Sequence, residues 1–167
     1  MIMNKWVTGN GDLTDAFALR KKVFVEEQHV AEVGEFDGLD EQSIHLVVYD
    51  GELPVATGRI WHDGKTFRIG RCCVERAQRG MGIGDLLIKL LLLKVFEYNP
   101  SEVRIHAQTH AEKFYEKYGF ERIGDEYDEE GLPHVTMRAT KETLRFPSKC
   151  GEVRRFEDFF KPVKAGE

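Results

Sequence analysis

Apolar positions along this chain change period several times, and each change marks an element. Residues 5–8, with Trp6 and Val7, suit a short first strand. Leu13, Phe17, Leu19, Val23 and Phe24 then recur at helical spacing, and Asp12 or Thr14 can cap a helix running to about Glu27. Residues 32–42 are acidic and contain Gly34 and Gly38, so they read as a loop or a short broken helix. Residues 44–49 form a strand, Asp50-Gly51 a hairpin turn, and residues 55–62 the returning strand. Asp63-Gly64 turns the chain again into a strand over 67–74, completing an antiparallel meander.

From residue 82 to 98 the chain is apolar on nearly every face, as a helix packed between a sheet and its neighbours requires, and Pro100 ends it. A strand over 103–107, a helix over 111–118 and two strands over 120–124 and 134–139 follow. The order βα, three antiparallel strands, α, β, α, ββ places the chain in the α/β class with a mixed sheet. Residues 1–140 make one domain, and residues 141–167 a C-terminal extension. Leu144, Phe146, Val153, Phe156, Phe159 and Phe160 are too apolar for a solvated tail. The extension therefore packs on its own domain or on a partner subunit. Within it, residues 152–161 can form a short amphipathic helix ended by Pro162.

Composition narrows the function. With 167 residues, 41% of them hydrophobic, the chain suits a single domain with a sizeable core. A net charge of −5 argues against non-specific nucleic-acid binding as the main role. Cys72, Cys73 and Cys150 lack paired spacing, which favours a reducing compartment. The N-terminus has no long apolar core of a secretory signal, and the longest apolar run is too short and lysine-flanked to span a bilayer. The expectation is a soluble cytoplasmic protein that binds neither nucleic acid nor membrane.

The most informative stretch is Arg79-Gly80-Met81-Gly82-Ile83-Gly84-Asp85, lying between the strand over 67–74 and the long helix. Alternating glycines at a strand-to-helix junction let the backbone curl and leave unpaired N–H groups at the helix start. Such an end attracts phosphate oxygens, and Arg79 adds a full charge beside it. A dinucleotide fingerprint would need Gly-x-Gly-x-x-Gly after the first strand, and a Walker loop would need Gly-Lys-Ser/Thr. Neither is present. Arg79-x-x-Gly82-x-Gly84 resembles instead the acyl-CoA pyrophosphate loop of the GNAT N-acetyltransferase superfamily.

A second segment, Gln108-Thr-His-Ala111-Glu-Lys-Phe114-Tyr115-Glu-Lys-Tyr118-Gly119-Phe120, is similar to another GNAT segment, with Gln108 where many relatives carry Asn. Arg20-x-x-Val-Phe-Val-x-Glu27-Gln28 together with His45 resembles a little-characterised branch of the superfamily. The resemblance covers roughly residues 3–140. It implies a mostly antiparallel sheet flanked by helices, its fourth and fifth strands splayed apart. The pantetheine arm of acetyl-CoA would fill that gap against the backbone near Cys73 and Val74. The loop from Arg79 to Asp85 would hold the pyrophosphate, with Gln108 and Phe114 beside the cofactor arm.

Acetyl transfer to an amine needs a neutral amine, a polarised thioester carbonyl and a proton for the departing thiolate. An alkyl amine titrates near a pKa of about 10, so a base must take its proton at neutral pH. Tyr115, which matches the tyrosine of the GNAT segment, is the candidate acid; its plain alternative is a core tyrosine facing the sheet. Glu26, Glu27 and His106 are candidate bases, Glu27 first among them. Cys72 and Cys73 point to opposite faces of a strand and read as buried thiols. His106 and His110 do not share a helical face, so no metal is expected. Acidic residues at 32–41 and 125–130 read either as plainly solvated charge or, where the resemblance places the corresponding loops at the acceptor entrance, as a surface that would favour a cationic acceptor, a small molecule or peptide bearing an amine. The alternative to the enzyme is a non-catalytic acyl-CoA-binding module, and a homodimer is compatible with either.

Overall fold

A computed structural model describes residues 1–147 and 153–155. Strand β1 (Ile2–Thr8) leads into helix α1 (Thr14–Arg20), which continues as a π-helical segment (Lys21–Glu27), then α2 (Glu32–Glu35) and a 3₁₀ turn (Asp40–Gln42). Strands β2 (Ile44–Asp50), β3 (Leu53–His62) and β4 (Phe67–Val74) form the meander, and α3 (Ile83–Phe96) follows the glycine run. Then come β5 (Glu102–Gln108), α4 (Glu112–Glu116), β6 (Glu121–Arg122), β7 (Tyr127–Glu129) and β8 (Leu132–Thr140). The main sheet has the order β1-β2-β3-β4-β5-β8-β6, with β7 also paired to β8. Among the described residues of this sheet only β4 and β5 run parallel, and the other pairs are antiparallel.

Side chains alternate across the strands, so each face of the sheet carries its own core. One face packs against α3, whose Leu87, Ile88, Leu91, Leu92 and Val95 are almost wholly buried with Val103, Ile105 and Met137. Each such aliphatic side chain contributes about 1.5–3 kcal/mol on burial. The other face packs against α1 and the π-helical segment through Ala16, Leu19, Val23 and Phe24, joined by Val47 and Cys73.

Two departures from the regular sheet shape the site. The pairing of β4 with β5 stops after Ile69 with Ile105, so the remainders of the two strands diverge as the resemblance implies. On its other edge β4 carries a bulge: Thr57 pairs with Cys73 and Arg59 with Gly70, leaving Arg71 and Cys72 opposite Gly58 alone. Arg71 sits there with a positive φ of 51°. A side chain at Gly58 would lie 2.7 Å from Leu91, so glycine is what lets α3 approach the bulge.

Several element boundaries move. The helix expected over 111–118 is a 3₁₀ turn (Thr109–Ala111) followed by one turn and a half of α4, and the long helix begins at Ile83. Part of the acidic stretch 125–130 is strand β7. Beyond residue 140, Leu144 and Phe146 are buried in the α3-side core, and the Arg145 N–H donates to the Tyr118 carbonyl. This part of the extension packs on its own domain. The helix expected over 152–161 lies mostly outside the described residues. Its described part is β10 (Val153–Arg155), a strand paired with β9 (Arg145–Pro147).

Candidate active site

Where β4 and β5 part, a cavity of about 700 Å³ opens through the sheet. That size suits a small-molecule site. It reaches two unlike regions. Toward α3 and α4 it is lined by Val74, Arg79, Gly84, Phe114 and Tyr115. Toward the opposite face it is lined by Arg71, His106, Glu129, Glu130 and His134, with Trp61. Cys73 and Gln108 also line it, so the cavity brings Val74, Arg79, Gly84, Phe114 and Tyr115 together with Cys73, Gln108 and the candidate base His106.

The glycine run is built as its composition suggests. Gly80 and Gly82 have φ of 80° and 83°, a left-handed conformation that side chains rarely adopt, and a Cβ on either would meet nothing within 4 Å. Gly82 is the N-cap residue of α3, whose first turn leaves backbone N–H groups free for an anion. The open space above these glycines therefore fits a phosphate. Met81 is exposed, whereas Ile83 turns its side chain into the core. The Asp85 carboxylate is already engaged, accepting from Lys89 at 2.7 Å and from the buried Tyr118 hydroxyl. Gln108 donates to the Gln28 side chain at 2.8 Å.

Arg79 and Glu27, predicted for different tasks, form one ion pair. Two guanidinium N–H groups donate to the two carboxylate oxygens at 2.6 and 2.9 Å, and Nε donates to the Val74 carbonyl at 3.0 Å. Hydrogen bonding from Arg79 holds the Glu27 carboxyl below its usual range, which weakens it as a base. Glu27 is also absent from the cavity lining, so its place is beside the phosphate loop.

Tyr115 packs edge-on against Phe114 and Phe120, with its hydroxyl interacting with the Cys72 thiol. Burial, reinforced by Cys72, pushes the phenol well above its ordinary value, so it stays a proton donor at neutral pH. Burial likewise pushes the Cys72 thiol up to about 12 and raises Cys73, which suits buried thiols rather than nucleophiles.

The first acidic stretch is tied up by arginines. Arg20, 1% exposed, donates to Glu35 at 2.7 Å and to Asp40 at 2.6 Å. Arg59, also 1% exposed, donates to Asp40 at 2.9 Å and bidentately to Asp37. Arg71 on the bulge bonds the Glu35 and Gly34 carbonyls and the Asp37 carboxylate. His45 contacts the Asp40 carbonyl at 3.0 Å, and burial lowers its basicity. Three carboxylates and three guanidiniums thus neutralise one another, and Glu35, Asp37 and Asp40 act as ties holding α2 against β3 and β4. Sequence reading picked out Arg20 and His45 as branch markers and overlooked Arg59 and Arg71, whose partners lie 19 to 37 positions away in the chain.

Comparison with known proteins agrees with this geometry. Residues 12–141 match the family model described as the acetyltransferase (GNAT) domain. The chain belongs to that family, and acyl transfer is the chemistry the family and fold support. It is 39% identical to the Bacillus subtilis protein YyaT over 144 residues, 84% of this chain and 96% of YyaT. It is 38% identical to the N-acetyltransferase YjcF of the same organism, over 75% of this chain and 90% of YjcF. Among solved structures, an acyl-CoA N-acyltransferase from Pseudomonas aeruginosa superposes with a TM-score of 0.75 at 26% identity, covering 84% of this chain and all of that one. Among the described residues, no helix is long and apolar enough to cross a membrane.

Proposed function

We propose that this protein transfers an acetyl group from acetyl-CoA directly to the nitrogen of an amine, of a small molecule or a peptide. The observation that carries the reading is a cavity that runs from Arg79 and Gly84, at the start of α3, to a polar wall across the sheet. Backbone N–H groups at Gly80, Gly82 and the first turn of α3 would hold the pyrophosphate, with Arg79 sharing its charge between it and Glu27. The donor supplies an activated thioester carbonyl. On this reading the β4 backbone near Cys73 and Val74 donates to the carbonyl oxygen as charge develops on it. Tyr115 gives its proton to the departing sulfur, since its phenol is protonated and lines the same cavity.

The acceptor enters from the opposite face. An amine cationic in solution suits the carboxylates Glu129 and Glu130 on that wall, whereas Glu35, Asp37 and Asp40 are spent on arginines. The test is thiol release from acetyl-CoA against a panel of amines and matched alcohols. Release that requires an amine supports the reading; binding of acetyl-CoA without release with any acceptor refutes it and favours a binding module.

A further inference from the structure

An acceptor amine needs a base, and hydrogen-bond geometry separates the candidates around the cavity. Glu26 is exposed and does not line it, and Glu27 is bound to Arg79 at the phosphate loop. His106 lines the cavity, but its Nε2 faces Arg68 Nη1 at 2.8 Å. A guanidinium has only donors, so that nitrogen already accepts a hydrogen bond. The His106 proton therefore sits on Nδ1, which faces Glu129 at 3.7 Å, and no lone pair is left for an amine.

His134 has the reverse arrangement. It lies on β8 opposite Gln108, on the same sheet face as His106, and is 8% exposed. Its Nδ1 lies 2.8 Å from the Leu132 carbonyl oxygen, which can only accept, so Nδ1 carries the proton. The ring is also stacked on Tyr127. In the neutral ring Nε2 is then the basic nitrogen, directed at Glu129 Oε2 at 3.4 Å. Glu129 is held as a carboxylate by His106, against the opposing effect of burial. A ring fixed by one hydrogen bond, with its other nitrogen beside a carboxylate, is how an imidazole is poised to take and hold a proton.

We infer that His134 is the base that deprotonates the acceptor, and that Glu129 both orients the incoming ammonium and offsets the charge His134 acquires. This rests on the amine-transfer reading above. The 3.4 Å separation is longer than an ordinary N–H···O bond. An ammonium group placed there can donate one N–H to Nε2 and another to Glu129. The amine gives one proton to Nε2, and its freed lone pair forms the C–N bond at the thioester carbon. The C–S bond breaks, with its electron pair on sulfur, and Tyr115 protonates that sulfur. The second proton, lost from the new amide nitrogen, restores the phenol, and His134 releases the first to solvent. Two protons leave nitrogen, one reaches sulfur, and one is released.

The decisive comparison uses two acceptors, an alkylamine protonated at neutral pH and an amine already neutral there. His134→Gln should slow transfer to the alkylamine by about 10²-fold or more and to the neutral amine by less than about 10-fold, with acetyl-CoA affinity unchanged. Glu129→Gln, at a half-exposed position, gives an independent reading if the first variant folds poorly. It should raise KM for the alkylamine and leave the neutral amine unaffected. Equal losses with both acceptors, no loss in either variant, or a loss in His110→Gln alone would overturn the assignment. Full transfer by the unmodified protein and by His134→Gln alike overturns only this inference. If the unmodified protein binds acetyl-CoA and acetylates no amine, the amine-transfer reading fails and this assignment fails with it.

Discussion

Replacing Asp40 by asparagine should unfold the protein more readily without altering how it captures its acceptor. Oδ1 of Asp40 accepts from Arg20 at 2.6 Å and from Arg59 at 2.9 Å, and both guanidiniums are 1% exposed. Without that carboxylate, Arg20, Arg59 and Arg71 face only Glu35 and Asp37, leaving one buried cation uncompensated. Breaking a buried pair from one side costs about 3–5 kcal/mol. At roughly 2–4 °C per kcal/mol for a chain of this size, the melting temperature should fall by about 10 °C. Circular dichroism melts at neutral pH, low and high salt, measure it. Because the network is buried, added salt should change the difference little. Glu130→Gln at the exposed cavity wall is the control and should shift stability by no more than about 0.5 kcal/mol. An Asp40→Asn protein melting within about 2 °C of its parent, with a raised acceptor KM, would refute the reasoning. It would return residues 32–41 to the role their acidity suggests, attracting a cation.

Other consequences follow from the same geometry. Gly82→Val should cost about 1–2 kcal/mol of strain at its positive φ, leave the fold intact because its Cβ meets open space, and weaken acetyl-CoA binding at least about tenfold; unchanged affinity by calorimetry would remove the loop from the phosphate site. Tyr115→Phe should reduce kcat by about 10²-fold with acetyl-CoA affinity retained, and full activity would make Tyr115 a packing residue. Glu27→Gln should leave kcat within about threefold while tightening acetyl-CoA binding through the freed Arg79; a fall of about 10²-fold would restore Glu27 as the base. Burial raises the Asp37 carboxyl, yet Arg59 outweighs it and holds it at about 2, below the unfolded value of about 3.9. Its contribution to stability is present above about pH 4 and is lost as pH falls toward 2. Urea midpoints should therefore drop over that window and drop less in Asp37→Asn.

The β2–β4 meander, α3 and the glycine turn were legible in the sequence because local pattern determines them: period-two strands, Asp-Gly turns, and an apolar run opening after glycines. The splay of β4 from β5 came from the family resemblance, and the register confirms it at Ile69 and Ile105. The bulge at Arg71 was not legible, since it depends on how closely α3 approaches Gly58. Nor was the fate of the acidic stretch at 32–41, because a carboxylate run looks the same whether it faces water or Arg20, Arg59 and Arg71. His134 was passed over as one strand residue among others. Its interest arises only when β7 lays Glu129 beside it and the Leu132 carbonyl fixes its ring.

The central claim is that the acyl group passes straight from thioester to amine nitrogen across this cavity. Mass spectrometry of both protein and acceptor after a single turnover with isotopically labelled acetyl-CoA tests it most directly. The account predicts the label as an amide on the acceptor nitrogen, with none on the protein at any time. Label on Cys72 or Cys73, or released only as free acetate, would contradict it.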